Sequence, residues 1–365
     1  MKNCRQLYIL LQSPKIDCYF IYPRTKDSAS ALGRTFGGSK SIKRIYLYRN
    51  SDMKSEGTVA LCMAAKESAE KMNSNPFPSL EYLDLSNCDI DAEGVNALSQ
   101  LLLNGSNDER AGDQRKLTLD LNSNPIGSDA CQSLSSLCSP HLDKDSILKS
   151  LILKKCSIGD EGFQIFSKGL LGKRCNGLRK LDFTDNKFGP KGLTDFADAM
   201  KTGLCDLKDL CLADNSVNEE GVAALSSALM DTNSNLSVVD LSNTSCGSLG
   251  AKAILQCNTL SSIRLFNNNL GCDGFDVIAS LLKEGYSMVS HLDLGGNRAK
   301  SEGVVALLRV IVQMGDTGLS NLHTLELGGN EIGEEAETVL KELQELRPGL
   351  DIPRDRPNVQ QPPNM

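Results

Sequence analysis

The chain carries three histidines, His141, His291 and His323, and they bound whatever imidazole chemistry it can do. His291 and His323 fall at neighbouring positions of two successive similar segments, the spacing a metal pair would use. Zinc needs three or four protein ligands, and no cysteine lies near either histidine, so no metal is expected. Spacing assembles no Ser/His/Asp grouping for nucleophilic catalysis. GLLGKRC, from Gly169, has the Gly-Lys of a phosphate loop but lacks the following Ser/Thr and the preceding strand. The thirteen cysteines are scattered, odd in number and free of any C-x-x-C pair. They read as reduced thiols used as small buried hydrophobes, not as a disulfide framework. The expectation is a protein without cofactor, metal or catalytic residues.

Recognition residues stand out more. Arg44, Tyr46 and Tyr48 alternate along one segment and so share a strand face, Arg49 follows, and Tyr82 takes the matching place in the next segment. Tyr and Arg are the side chains most enriched at interface hot spots. Two uses fit: a partner-binding patch at the N-terminal end of an inner rim, or rings that cover the end of a stack.

What positions these residues is a repeat. The pattern L-x-x-L-x-L-x-x-N recurs ten times, from IKRIYLYRN at Ile42 through LEYLDLSNC at Leu80 to LHTLELGGN at Leu322. Successive starts lie 38, 36, 32, 30, 29, 29, 24, 29 and 33 residues apart. Positions 4 and 6 alternate with 3, 5 and 7, which predicts a short strand with one buried and one exposed face. Position 9 is Asn50, Asn124, Asn186, Asn215, Asn268, Asn297 or Asn330, with Cys88, Cys156 and Thr244 in the other copies. A small polar group there can satisfy backbone groups as the chain leaves the strand. An apolar residue follows, then usually Gly, then a helical pattern such as GVAALSSAL from Gly221. One strand and one helix cannot bury their own apolar faces, so neighbours must stack. Strands about 4.8 Å apart against helices about 8–10 Å apart predict a curved stack with strands on the concave face. The 24-residue unit implies one short helix.

Units of this length and pattern resemble the ribonuclease-inhibitor-type leucine-rich repeats, a class shared with immune-receptor repeat domains and Ran GTPase-activating proteins. The resemblance implies an α/β leucine-rich-repeat solenoid, a horseshoe of ten strand–helix repeats, over residues 42–347. Residues 1–41 are expected to form an N-terminal cap or a partly disordered lead, and the Pro-rich residues 348–365 a disordered tail. Polar insertions at Lys71, Asn104 and Ser139 belong at the edge where helix returns to strand. The resemblance further implies a scaffold that binds a partner protein through its concave face and repeat-edge loops. The alternative it implies is an activator of a Ran-like small GTPase, with a repeat-edge loop supplying Arg49 and Asn50, or Arg298.

Charge narrows the partners. The net charge is −7, which disfavours nucleic acid and anionic membranes. Six of the ten position-5 residues are acidic; L-D-L is frequent in this repeat class whatever the ligand. Formal charges over positions 2, 3, 5, 7 and 8 of all ten segments cancel, so an acidic, ribonuclease-binding face is not supported. The apolar run from Leu7 to Leu11 is too brief for a secretory signal, and no stretch of about 18 apolar residues exists to span a bilayer. A cytoplasmic protein is expected, with the nucleus as the other compartment.

Overall fold

The computed structural model describes residues 18–20, 25–104, 116–139, 146–173, 175–204, 206–231, 234–285 and 288–353. His141, most of the insertions after Asn104 and Ser139, and residues 354–365 lie outside them. The chain divides into two compact units, residues 1–158 with 173–181, and residues 159–172 with 182–365.

In the first unit β1 (Cys18–Phe20), β2 (Arg44–Tyr46), β3 (Tyr82–Asp84), β4 (Leu117–Asp120) and β5 (Leu148–Ile152) pair in chain order, all parallel. Between them lie α1 (Lys26–Phe36), α2 (Lys54–Lys71), α3 (Ala92–Asn104) and α4 (Cys131–Cys138). Register brings the fourth-position residues into one buried column: Ile45 pairs with Leu83, Leu83 with Leu119, and Leu119 with Leu151. The strands thus stack where the motif puts them. An extra strand, β1, precedes the first motif; CYF carries none of the motif's leucines, so the pattern could not reveal it. After it, α1 opens with a capping box between Thr25 and Ser28 and lies directly against α2. A Cβ on Gly33 would fall 2.3 Å from the carbonyl oxygen of Leu61. The two helices therefore touch backbone to backbone, which only glycine permits there.

The strand β6 (Lys180–Asp182) falls at the division in sequence. In the second unit β7 (Asp209–Cys211), β8 (Val238–Asp240), β9 (Ser262–Arg264), β10 (His291–Asp293) and β11 (Thr324–Glu326) are again parallel and in chain order. Its helices are α5 (Gly159–Leu170), α6 (Pro190–Gly203), α7 (Asn218–Asp231), α8 (Gly247–Leu255), α9 (Gly271–Lys283), α10 (Ser301–Gly318) and α11 (Glu334–Leu346). The helix α8 has nine residues, short as the 24-residue spacing predicts, but α4, in a 32-residue unit, is shorter still at eight. Where phenylalanines replace the usual aliphatics, Phe163 stacks on Phe188 at 4.0 Å and meets Phe183 edge-on at 4.9 Å. Rings of this size fill the space that leucines fill elsewhere.

The C-terminal end differs from expectation. Pro348 does stop α11, but order continues. The buried Arg347 donates from Nη2 to the carbonyls of Leu319 and Leu322, both at 2.9 Å. The amide of Asp351 donates to His323 O and its carbonyl accepts from Leu325 N, while Leu350 and Ile352 are buried. Residues 348–353 are not tail. The Leu-x-Ile alternation has the strand period and closes the apolar face that the last repeat would leave open. Among the described residues no helix is long and apolar enough to cross a membrane.

Candidate functional site

The exit from each strand is built by backbone strain and one side chain. Position 8 has positive φ in all ten repeats: Arg49, Asn87, Ser123, Lys155, Asp185, Asp214, Asn243, Asn267, Gly296 and Gly329. This left-handed turn points the next residue inward, where position 9 works as a ladder rung. Asn124 Oδ1 accepts from the amides of Cys88 and Ile90, and its Nδ2 donates to the carbonyls of Leu85 and Leu121. Asn215, Asn268, Asn297 and Asn330 repeat the arrangement, each bridging its own turn to the preceding one. The cysteine copies keep half of it. Cys88 Sγ donates to Leu47 O at 3.0 Å and Cys156 Sγ to Leu121 O at 3.2 Å. Asn50 is buried too and donates to Leu47 O of its own turn. It is not a loop residue available to a nucleotide, which corrects its place in the GTPase alternative.

Five of the six position-5 carboxylates are also structural. Asp84, Asp120, Asp182, Asp240 and Asp293 each accept, through Oδ1, the amide two residues on. The acidic stripe therefore follows from how the strand ends, through a local side-chain-to-backbone bond.

The tyrosine and arginine patch comes together in the first unit. Strand register sets Arg44 beside Tyr82 and Tyr46 beside Asp84. The rings of Tyr46 and Tyr82 lie 5.2 Å apart, tilted by 36°. Tyr46, Tyr48 and Tyr82 are half-buried, and Arg44 and Arg49 exposed. Burial first, then the charges of Asp120 and Asp84 and a hydrogen bond to Asp120, push the Tyr82 hydroxyl up to about 12. It stays protonated at neutral pH and holds its ring in place. β1 extends the same sheet, with Phe20 at the register position of Tyr46. The patch places two paired tyrosine rings and Tyr48 beside two exposed cations.

Other candidates separate. His291 Nε2 lies 3.2 Å from Glu326 Oε1 but off the direction of a hydrogen bond, while His323 Nδ1 meets the carbonyl of its near neighbour Asn321. The two described histidines face different groups, and among the described residues no group of three His, Cys, Asp or Glu could hold a metal. Ten of the cysteines, from Cys62 to Cys272, are free thiols, nine of them buried. Burial pushes Cys62, Cys88, Cys131, Cys156 and Cys246 up to about 12. Such thiols are inert near neutral pH. Arg298 is exposed and lines an open polar cleft of about 800 Å³ in the second unit, with Glu219, Glu220, Asn267 and Asn269; its Nη1 lies 3.4 Å from Asn269 Oδ1.

A sequence model of the family described as Leucine Rich repeat matches residues 78–99, 114–135 and 174–197. The ribonuclease inhibitor of Sus scrofa is 26% identical over 333 residues, 90% of this chain and 67% of that protein. NACHT, LRR and PYD domains-containing protein 2 of Homo sapiens is 31% identical over 212 residues, 58% of this chain and 18% of that one. RAN GTPase-activating protein 2 of Arabidopsis thaliana is 28% identical over 139 residues, 37% and 25% of the two chains. The chain thus spans about two thirds of the first relative's length and a quarter or less of the other two.

Proposed function

We propose that this chain, a leucine-rich-repeat protein of the ribonuclease-inhibitor-like class, is a non-catalytic cytoplasmic scaffold that binds a partner protein through its exposed strand faces and repeat-edge loops. The observation that carries the reading is the patch of Arg44, Tyr46, Tyr48, Arg49 and Tyr82. Its rings are half-buried, with Tyr46 and Tyr82 against each other and Tyr82 held by Asp120, so little rotamer freedom of that pair is lost when a partner covers it. Rigid tyrosines beside guanidinium groups are what binding hot spots are made of. The other conspicuous polar residues, the Asn ladder and the position-5 aspartates, are consumed by the backbone. The test is quantitative affinity capture with the wild-type chain and with Tyr46→Ala/Tyr48→Ala/Tyr82→Ala, both checked for native circular dichroism. A partner retained by the first and lost by the second is the expected result. Equal retention by both would remove the patch from the interface.

A second reading, activation of a Ran-like GTPase, draws on the similarity to the Arabidopsis protein and on the exposed Arg298 in its cleft. GTP hydrolysis by a panel of small GTPases, with the wild-type chain and with Arg49→Ala and Arg298→Ala, separates it from the first. Stimulation of about a thousandfold or more, lost on either change, would replace the scaffold reading.

A further inference from the structure

We propose that the exposed strand face of the first unit docks an extended acidic protein segment, with cations at β2 and β5 taking its carboxylates and Tyr46 and Tyr82 taking an aromatic or apolar residue between them. This rests on the scaffold reading and adds the partner's chemistry to it. On the exposed positions of β2 to β5 and their exits stand Lys43, Arg44, Arg49, Lys149, Lys154 and Lys155, against only Glu81, Asp84 and Asp120. All six cations are exposed. The three carboxylates are engaged: Glu81 with Lys43 at 2.9 Å, a pair that cancels and leaves five cations, Asp84 with the amide and hydroxyl of Ser86, and Asp120 with the amide of Asn122 and the hydroxyl of Tyr82. The same positions of β7 to β11 in the second unit hold Asp209, Asp214, Asp240, Asp293 and Glu326 against Lys208 and Arg264. A near-neutral total over all repeats, and a net charge of −7 for the chain, therefore conceal a basic face.

Geometry selects the ligand within the anionic class. β2 and β5 are three strand spacings apart, about 14 Å, which an extended chain crosses in about four residues. Acidic residues at i and i+4 would reach both sets of cations, and the residues between them would cross Tyr82 on β3, with Tyr46 beside it at the β2 end. The centre of the face holds Asp84 and Asp120. A nucleic-acid strand, with a phosphate at every nucleotide, would have to lay charge across them; a peptide with its acids at the two ends avoids them. The cationic ends are separated by less than two Debye lengths at physiological salt, so they attract one ligand together.

The probe is a fluorescein-labelled synthetic peptide with two glutamate pairs flanking Gly-Tyr-Gly, added to the full chain and followed by anisotropy at low salt and at about 0.15 M. Controls are the same peptide with lysine for glutamate and a single-stranded oligothymidylate of equal charge. The acidic peptide is expected to bind. Arg44→Glu/Arg49→Glu and Lys149→Glu/Lys154→Glu should each weaken it by about tenfold or more. Lys66→Glu/Lys71→Glu, on the exposed side of α2, should leave it unchanged. Absence of binding, equal weakening by the α2 control, or tighter binding of the oligonucleotide would each overturn the proposal. If the peptide fails while partner capture still depends on Tyr46, Tyr48 and Tyr82, only the charge assignment falls; if capture is also independent of the tyrosines, the scaffold reading at this patch falls with it.

Discussion

Replacing Asn268 by alanine and by cysteine should produce two different losses, and the difference tests how the ladder works. Asn268 is wholly buried. Its Oδ1 accepts from the amides of Thr244 at 3.1 Å and Cys246 at 3.0 Å, and its Nδ2 donates to Leu241 O at 2.7 Å. Leu241 O keeps a second donor in the hydroxyl of Thr244, at 2.6 Å, so Asn268→Ala orphans the two amides and spares the carbonyl. A buried donor without a partner costs about 1–3 kcal/mol, which gives about 4 kcal/mol for the pair. Cysteine is the chain's own substitute at this position. In the second repeat the Cys88 sulfur donates to Leu47 O and accepts from the amide of Asn50. Asn268→Cys should therefore keep one amide satisfied and cost about half as much. Because the chain divides into two units, one global unfolding free energy is a poor readout. Amide exchange in the peptide spanning Thr244 to Cys246 is better, where each 1.4 kcal/mol is about tenfold in opening. Equal exchange in the two variants, or a change below about tenfold in the alanine one, would refute the bridging role.

Three other outcomes follow from the same structure. The buried thiols near 12 stand against an ordinary value of 9.0, so the native state holds their protons more tightly; stability is full below pH 9 and is lost between about pH 9 and 12 as unfolded thiols ionise. With Cys62, Cys88, Cys131 and Cys156 in the first unit, the loss approaches about 5 kcal/mol per pH unit above pH 10; a urea midpoint that is flat from pH 8 to 10.5 would contradict it. Gly33→Ala forces α1 from α2 and should cost about 2–3 kcal/mol, read as faster proteolysis within α1, whereas Gly349→Ala, with open space around it, should be neutral. Lys155, held at φ 57, should gain about 0.5–1 kcal/mol when replaced by glycine, and a loss in thermal midpoint would show that its side chain matters more than its backbone.

The repeat strands were legible because each must solve the same problem, and residues such as Leu83, Leu119 and Leu151 recur for the same reason. Two parts of the scaffold were not. β1 pairs with β2 through backbone groups, which any sequence supplies, so CYF carries no mark of it. The left-handed turn at position 8 is filled by Arg49, Ser123, Lys155 and Asp185 as well as by Asn and Gly. Its strain is offset by ladder bonds made one residue later, so composition at the strained position does not give it away.

The candidate site was partly legible, and for the opposite reason. Tyr46 and Tyr82 stood out as departures from a rim that is otherwise small and polar, and the structure brings them to 5.2 Å. What the pattern could not separate was a carboxylate that serves the backbone from one that faces solvent. Asp84 and Asp293 look identical to a free acidic stripe until their Oδ1 atoms are seen accepting amides two residues on. Once those are set aside, the exposed charge of the first unit is set by Arg44, Arg49, Lys149 and Lys154, residues that obey no position of the repeat. A scaffold residue is one the fold requires in every copy; a recognition residue is one the fold tolerates in a single copy. On the proposed scaffold reading, partner specificity is therefore to be sought where the repeat is broken, and the first such break is the run from Lys43 to Arg49 that contains β2.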